Sequence, residues 1–292
     1  MKKILITGAN SYIGTSFEKY MQQWPEEYQV DTVDMLNGTW REKSFVGYDV
    51  IFHVAGIAHS DSGKISEERS KMYYRVNRDL TIEVAEKAKK EGVKQFVFLS
   101  SMAVYGLATP IGKSRIISLD TPLSPDNSYG DSKKQAEEGI LPMEDASFKV
   151  VILRPPMIYG HGSKGNYPTL SKLARKLPVF PRVKNHRSML YIEHLSEFVR
   201  LMIENEEQGI FWPQNREYSN TSEVVRMIAR AHNKRVLLVP GCTWALQLMS
   251  HFVVYVNKAF GSIVYAPNIS VYKEEYCKYS LIESIFRTEE AE

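Results

Sequence analysis

The feature that most constrains the fold stands at the N-terminus. Ile4-Leu5-Ile6-Thr7 is a short apolar run, and Gly8-Ala9-Asn10-Ser11-Tyr12-Ile13-Gly14 follows it directly. From Tyr12 to Trp24 the pattern reads as a helix. A strand that turns at a glycine straight into a helix leaves the helix's first amides without intrahelical acceptors. Gly8 suits the tight turn, and Gly14 lets helix and strand pack closely. The positive dipole end and the amides then suit a pyrophosphate. Asn10, Ser11, Tyr12 and Ile13 form the loop between the two glycines. Ser11 occupies the middle position of the usual three-glycine loop, which a serine fits if its backbone angle is ordinary.

The remaining chain alternates strand and helix signals. Tyr28 to Asp34, Asp49 to Val54, Gln95 to Ser100 and Lys149 to Leu153 read as strands. Val76 to Lys90, stopping at Gly92, and a stretch beginning at Tyr129 read as helices. Ser188 to Ile203 reads as a strand and helix. This alternation predicts an α/β fold, a doubly wound parallel sheet covered by helices on both faces. Only 15 residues separate Asp34 from Val50. A crossover helix and a further strand need a dozen or more residues, so the third strand, at the sheet edge, is expected to be reduced or missing. Asp34 falls twenty residues after Gly14, where a carboxylate accepts hydrogen bonds from an adenosine ribose. A carboxylate there repels a 2′-phosphate, which favours NAD and leaves NADP open; Asp31 is a rival for the position.

After Gly160 the pattern loosens around Pro168, Pro178 and Pro181, and basic residues appear at Lys164, Arg182, Lys184 and Arg187. The expected division is a dinucleotide-binding domain over 1–160, with 186–212 returning to it. A smaller C-terminal substrate lobe takes 161–185 and 213–292. The net charge of +3 is small and dispersed, which argues against a nucleic-acid partner. Cys242 and Cys277 form no disulfide framework or metal pattern, so the expected setting is reduced and cytoplasmic. No signal peptide is read at the start of the chain, and the apolar stretch Cys242 to Val256 is too short to span a bilayer. It reads as a packing helix. His53 and His59 read as polar positions near a cofactor loop, and no metal is expected.

Tyr129 and Lys133 stand four apart, on one face if this segment is a helix. The turn Pro125-Asp126-Asn127-Ser128 precedes them and offers cap chemistry. An ammonium beside a phenol favours phenolate, so Tyr129 is placed to exchange a proton with a hydroxyl. Ser101, at the C-terminal end of Gln95 to Ser100, stands where α/β sheets build their active sites.

Taken together, several motifs resemble the NAD-dependent epimerase/dehydratase family of extended short-chain dehydrogenases/reductases. They are Thr7-Gly8…Gly14, His53-Val54-Ala55-Gly56, Asn77, Ser100-Ser101-Met102-Ala103-Val104-Tyr105-Gly106, Tyr129…Lys133 and Leu153-Arg154-Pro155-Pro156-Met157-Ile158-Tyr159-Gly160. The likeness covers roughly residues 3 to 205. It implies a Rossmann-type fold and a catalytic Ser101, Tyr129 and Lys133. It also implies cofactor contacts at Gly8, Gly14, Ala55, Gly56, Ser100, Lys133 and Pro155, with Asn77 supporting the lysine. The resemblance places substrate contacts at Met102, at Asn166 near the sugar-nucleotide phosphates, and at Arg187, whose fork can pair two phosphate oxygens. A homodimer through the helices at Asn77 to Lys90 and after Tyr129 is the assembly it implies.

Three chemistries share that framework, with a UDP-linked sugar as partner. Dehydration is disfavoured, because Met102 and Ala103 stand where familiar dehydratases carry an acid and a base. Epimerisation at C4 and reduction of a 4-keto sugar both use the full set. Gly38-Thr39-Trp40, Ala58-His59, the Arg-Pro-Pro-Met run and Asn185-His186-Arg187-Ser188 are similar to capsule and O-antigen 4-ketoreductases of UDP-2-acetamido-2,6-dideoxyhexulose. The finer resemblance therefore leans toward reduction, with a UDP-hexose 4-epimerase as the alternative. A non-catalytic dinucleotide sensor has no need of all three residues.

Overall fold

The computed structural model describes residues 1–57, 65–241, 244, 246, 247 and 260–290. Its strands are β1 (Lys2–Thr7), β2 (Tyr28–Val33), β3 (Val50–His53), β4 (Gln95–Leu99), β5 (Ser114–Ile117) and β6 (Lys149–Leu153). β7 (Met157–Tyr159), β8 (Val179–Pro181), β9 (Met189–Tyr191), β10 (Gly209–Phe211), β11 (Leu237–Val239) and β12 (Ser262–Tyr265) follow. The helices are α1 (Tyr12–Met21), α2 (Glu67–Tyr73), α3 (Leu80–Lys90), α4 (Ser128–Ile140), α5 (Asn166–Lys176), α6 (Ile192–Glu204), α7 (Thr221–Ala231) and α8 (Leu281–Glu290).

Six strands form one parallel sheet in the order β10-β6-β4-β3-β1-β2. Strand order reverses beside β1, which lies between β2 and β3, so a crevice opens at the C-terminal ends of β1 and β3. β2 is the edge. The segment from Asp34 to Asp49 forms a single tight turn at Thr39–Arg41 instead of a helix and strand. It still covers the sheet, because Trp40 and Phe45 are buried against Leu5, Ile51 and Phe96. The edge strand is missing, as the spacing predicts, and two aromatic side chains seal the face beside it.

The helix expected to begin at Val76 starts earlier. Ser66 accepts the Arg69 amide as an N-cap, with Glu67 and Glu68 in the first turn. α2 and α3 are joined by a wider π-type turn at Tyr74–Asp79, which holds Asn77 fully buried. Such turns are frequent at functional sites. Gly92, at φ +80°, ends α3 as expected.

Outside the main sheet, β8 pairs with β11, β5 with β12, and β7 with β9. The largest apolar cluster runs without a break from Ile4 in β1 through Phe198 in α6 and Val225 in α7 to Ile285 in α8. The expected packing helix Cys242 to Val256, and Ala58-His59, lie mostly outside the described residues; Leu246 is buried and Trp244 exposed. Among the described residues no helix is long and apolar enough to cross a membrane.

Candidate active site

The glycine turn is shaped by contacts that a side chain would break. Gly8 has φ +110°, and a Cβ there would sit 2.9 Å from the Ala55 amide nitrogen. β1 and the loop after β3 therefore approach backbone to backbone, as a dinucleotide crevice requires. At Gly14 a Cβ would meet Ser11 Oγ at 2.7 Å and Ile6 Cγ2 at 3.1 Å, so α1 packs hard against β1. Ser11 has an ordinary extended backbone, φ −72° and ψ 144°, and its hydroxyl accepts the Gly14 amide. The amides of Tyr12 and Ile13 remain at the open end of α1. Asn10 takes the left-handed angle that completes the turn, φ 63°.

At the sugar end of this cradle, Asp34 follows β2 directly and is part-buried. Its Oδ1 accepts the Leu36 amide at 2.9 Å. In the rival Asp31, Oδ2 accepts from Tyr48 Oη at 2.8 Å and Gln29 Nε2 at 3.1 Å, so that carboxylate is tied to two side chains of its own surroundings. At the far end, a Cβ on exposed Gly56 would lie 3.4 Å from Lys133 Nζ and 3.0 Å from Asn77 Oδ1. The cradle thus runs from Asp34 past the α1 amides to the lysine, and its bare glycines suit a dinucleotide.

Ser101 and Tyr129 are brought together by another bare glycine. α4 begins with Asn127 as N-cap, its side chain accepting the Gly130 amide at 2.9 Å. A Cβ on Gly130 would lie 2.4 Å from the Ala103 carbonyl, so α4 sits directly on the turn that follows Ser101. Ser101 caps that turn, accepting the Ala103 amide at 3.1 Å, and its side chain is close enough to the Tyr129 phenol to favour the charged form. Tyr73 packs edge-on against the Tyr129 ring at 6.0 Å.

The electrostatics differ from the simple expectation of an ammonium-stabilised phenolate. Burial raises the Tyr129 phenol above its usual value, and the Ser101 side chain only partly opposes this. Burial also lowers the Lys133 ammonium to about 7, with Glu137 pulling it back up. Lys133 Nζ donates to the Leu99 carbonyl at 2.8 Å and lies 4.6 Å over the Phe98 ring. Within this chain the two groups are partly neutralised by their surroundings, and the lysine is poised near neutrality.

Several expected contacts are redirected. The Ser100 side chain faces away from the crevice, because successive residues of a strand alternate sides, and its hydroxyl donates to buried Glu137. The Met102 side chain packs into the cluster with Tyr105, Ile117, Ile263 and Tyr265 rather than standing open to a ligand. Its amide donates to the Pro155 carbonyl at 2.9 Å, which joins the Ser101 turn to the segment after β6. Asn77 clamps the loop after β3. It accepts the Ile57 amide at 2.8 Å, donates to the Ile57 carbonyl at 3.2 Å and reaches Ser132 Oγ at 3.3 Å. Its part is to hold Gly56 and α4 together around the lysine.

His53 is fully buried between Thr7 Oγ1 at 2.7 Å and Thr81 Oγ1 at 3.1 Å. Thr81 donates its proton to the Asn77 carbonyl, so it accepts from His53 Nε2, and Nδ1 accepts from Thr7. Burial and nearby Lys133 push this imidazole down to about 3, so it stays neutral. No group of three His, Cys, Asp or Glu that could hold a metal occurs among the described residues.

Further along the chain, Asn166 is exposed at the first position of α5. Arg187 is held by backbone bonds to Ser219, with burial lowering its guanidinium to about 10. Sequence reasoning missed Gly130 and Glu137. The signal for Glu137 was its position four after Lys133, on the helix face that also carries Ala136 and Ile140.

A model of the NAD dependent epimerase/dehydratase family matches residues 4–212. A UDP-glucose 4-epimerase of Vibrio cholerae is 30% identical over 85% of this chain and 81% of its own. An N-acetyl-alpha-D-glucosaminyl-diphospho-ditrans,octacis-undecaprenol 4-epimerase of Escherichia coli O157:H7 is 27% identical over 80% of this chain and 73% of its own. Among solved structures, a dTDP-4-dehydrorhamnose reductase from Clostridium acetobutylicum aligns with a TM-score of 0.75 at 19% identity, covering 99% of both chains. A UDP-glucuronic acid 4-epimerase from Bacillus cereus in complex with NAD aligns at 0.73 and 17%, over 99% and 97%. At these identities the two structures speak for the fold alone.

Proposed function

Since the chain belongs to the NAD-dependent epimerase/dehydratase family, we propose that it carries out oxidoreduction at C4 of a UDP-linked hexose, with 4-epimerisation as the leading reaction. The observation that carries this is the close seating of α4, which bears Tyr129 and Lys133, on the turn after Ser101 through Gly130, with Lys133 Nζ beside Gly56 in the loop after β3. The two curated relatives named above, both 4-epimerases, lean the reading from reduction toward epimerisation. Reduction of a UDP-2-acetamido-2,6-dideoxy-4-hexulose for a bacterial surface polysaccharide is the second reading. It is favoured by the shortened segment between β2 and β3 and by the likeness of the Asn185-His186-Arg187-Ser188 run to 4-ketoreductases.

The fit of the crevice to a nicotinamide dinucleotide rests on Gly8, Gly14 and Gly56, where side chains would fill it. Tyr12 and Ile13 amides would hold its pyrophosphate, with Asn10 and Ser11 shaping the turn, and Asp34 its ribose. Ala55, Asn77 and Pro155 would line or support the cradle. The cofactor, when bound, supplies and accepts hydride. Ser101 orients the C4 oxygen by hydrogen bonding. Tyr129 takes the hydroxyl proton there when the alcohol is oxidised and returns it when the ketone is reduced. Burial favours the protonated phenol that gives a proton to the ketone, while the oxidation half needs the phenolate, which a charged Lys133 would favour. Asn166 and Arg187 would meet the nucleotide phosphates. Residues 1–160 with 186–212 serve as the dinucleotide half, and 161–185 with 213–292 as the substrate lobe.

The test is to incubate the protein with UDP-glucose, and separately UDP-N-acetylglucosamine, without added cofactor, and follow anomeric signals by NMR. Formation of the C4 epimer supports epimerisation. NADH or NADPH consumption only with a 4-keto sugar moves the reading to reduction. Tyr129→Phe should lower kcat by about 10²–10⁴ with NAD binding unchanged. Full turnover in that variant would sink the proposed site.

A further inference from the structure

No step above uses a charged pair buried behind the Ser101 turn. The Arg154 and Glu137 side chains are only 7% and 1% exposed. Arg154 Nη2 donates to Glu137 Oε2 at 2.6 Å, and Nε reaches both carboxylate oxygens at 3.1 Å. Ser100 Oγ donates to Oε1. Tyr105 Oη accepts from Arg154 Nη1 and from Trp212 Nε1, each at 2.7 Å. A buried pair of this kind is weak as a device for stability, since apolar residues of the same volume serve as well or better. Its location says more. Glu137 lies one helical turn beyond Lys133, and Ser100 immediately precedes Ser101. One carboxylate therefore ties together the two elements that carry the reacting groups.

We infer that Glu137, anchored by Arg154, is a positioning residue that acts through Lys133: it fixes α4 against the end of β4 and holds a carboxylate one helical turn from the lysine. This rests on the reading of Ser101, Tyr129 and Lys133 as the reacting set. The titratable groups facing Lys133 are Glu137 and Tyr129 from its own helix and His53 from β3, with Arg154 and Tyr105 standing behind Glu137. His53 is neutral and Tyr129 is held protonated by burial. Of these neighbours, Glu137 is the one whose charge pulls the lysine upward against burial.

The test is a lysine ε-¹³C NMR titration of Lys133, assigned by its loss in Lys133→Met, in wild type, Glu137→Gln and Glu137→Asp. In Glu137→Gln the titration should move down by about one pH unit, the order expected from removing one nearby charge. Glu137→Asp should move it less. In parallel, the high-pH limb of kcat with UDP-glucose should move in the same direction, costing about tenfold near pH 8, with KM little changed. A Lys133 titration unmoved in folded Glu137→Gln overturns the inference and leaves the pair purely structural. If Glu137→Gln does not fold, Glu137→Asp decides, and a wild-type titration there overturns it as well. Tyr129→Phe keeps the two claims separate: if it retains turnover, the reading of the reacting set falls while the measured coupling of Glu137 to Lys133 stands.

Discussion

At the scale of single residues, the site carries a cost in stability that pH exposes. Burial takes Lys133 from its ordinary 10.5 to about 7, against the pull of Glu137. Below about pH 7 folded and unfolded chains both hold this proton, and the folded chain bears the whole cost of an interior ammonium. Between about 7 and 10.5 the unfolded chain binds more protons, so this contribution to stability improves as pH rises. Lys133→Met removes the cost. It is expected to stabilise the protein by about 1–3 kcal/mol near pH 6, with the gain fading toward pH 10 and turnover lost throughout. Thermal unfolding at the two pH values checks this, and an equal gain at both would contradict it. The lysine itself was legible from its spacing to Tyr129. Its depressed titration was not, because burial depends on Phe98, Leu99 and Asn77, which come from other elements.

At the scale of elements, the close contacts made by bare glycines set the geometry. Gly130→Ala puts a Cβ where the Ala103 carbonyl already lies at 2.4 Å. α4 must then back away from the Ser101 turn and take Tyr129 with it. The expected result is a loss of about 1–3 kcal/mol and a fall in kcat of about 10²-fold. NAD affinity should change little, since Gly8 and Gly14 are untouched. Chemical denaturation, steady-state kinetics and NAD titration measure the three quantities separately, and an unaltered kcat would show that this contact does not position Tyr129.

The strands and the glycine turn could be read from sequence because unbroken apolar runs, as buried parallel strands require, and turn residues are local signals. The missing edge strand could be read too, since 15 residues that must already carry the chain across β1 to β3 leave no room for a further helix and strand. The sealing of that edge by Trp40 and Phe45 could not, because it depends on packing against β1, β3 and β4. Ser100 and Met102 were legible as strand-end residues, whereas the directions of their side chains were settled only by the helix and small sheet that pack behind them.

At the scale of the whole molecule, the C-terminal part of the chain is not a separate bead on the six-stranded sheet. β10 joins that sheet after the chain has already built α5, β8 and β9. The last described segment then returns to the middle of the structure. β12 pairs with β5, and Tyr265 Oη donates to the Arg154 carbonyl at 2.6 Å. Further on, Ser284 Oγ and Tyr159 Oη share a hydrogen bond at 2.5 Å, and Tyr159 accepts from Asn215 Nδ2 at 2.9 Å. Ile285 on α8 is fully buried in the same apolar cluster as Ile4 and Ile6 of β1. A core shared in this way couples the two halves, because opening one exposes apolar surface on the other. Ile285→Ala, far along the chain from the glycine turn, should therefore cost about 2–5 kcal/mol. It should lower one common unfolding midpoint, not that of a C-terminal unit alone. NAD added in excess should raise that same midpoint in wild type and variant, since a ligand of the folded state stabilises whatever unfolds with its site. Calorimetry decides between the alternatives. A single transition that moves as a whole fits one cooperative core, and a second transition that shifts with Ile285→Ala but ignores NAD would show two independently folding halves.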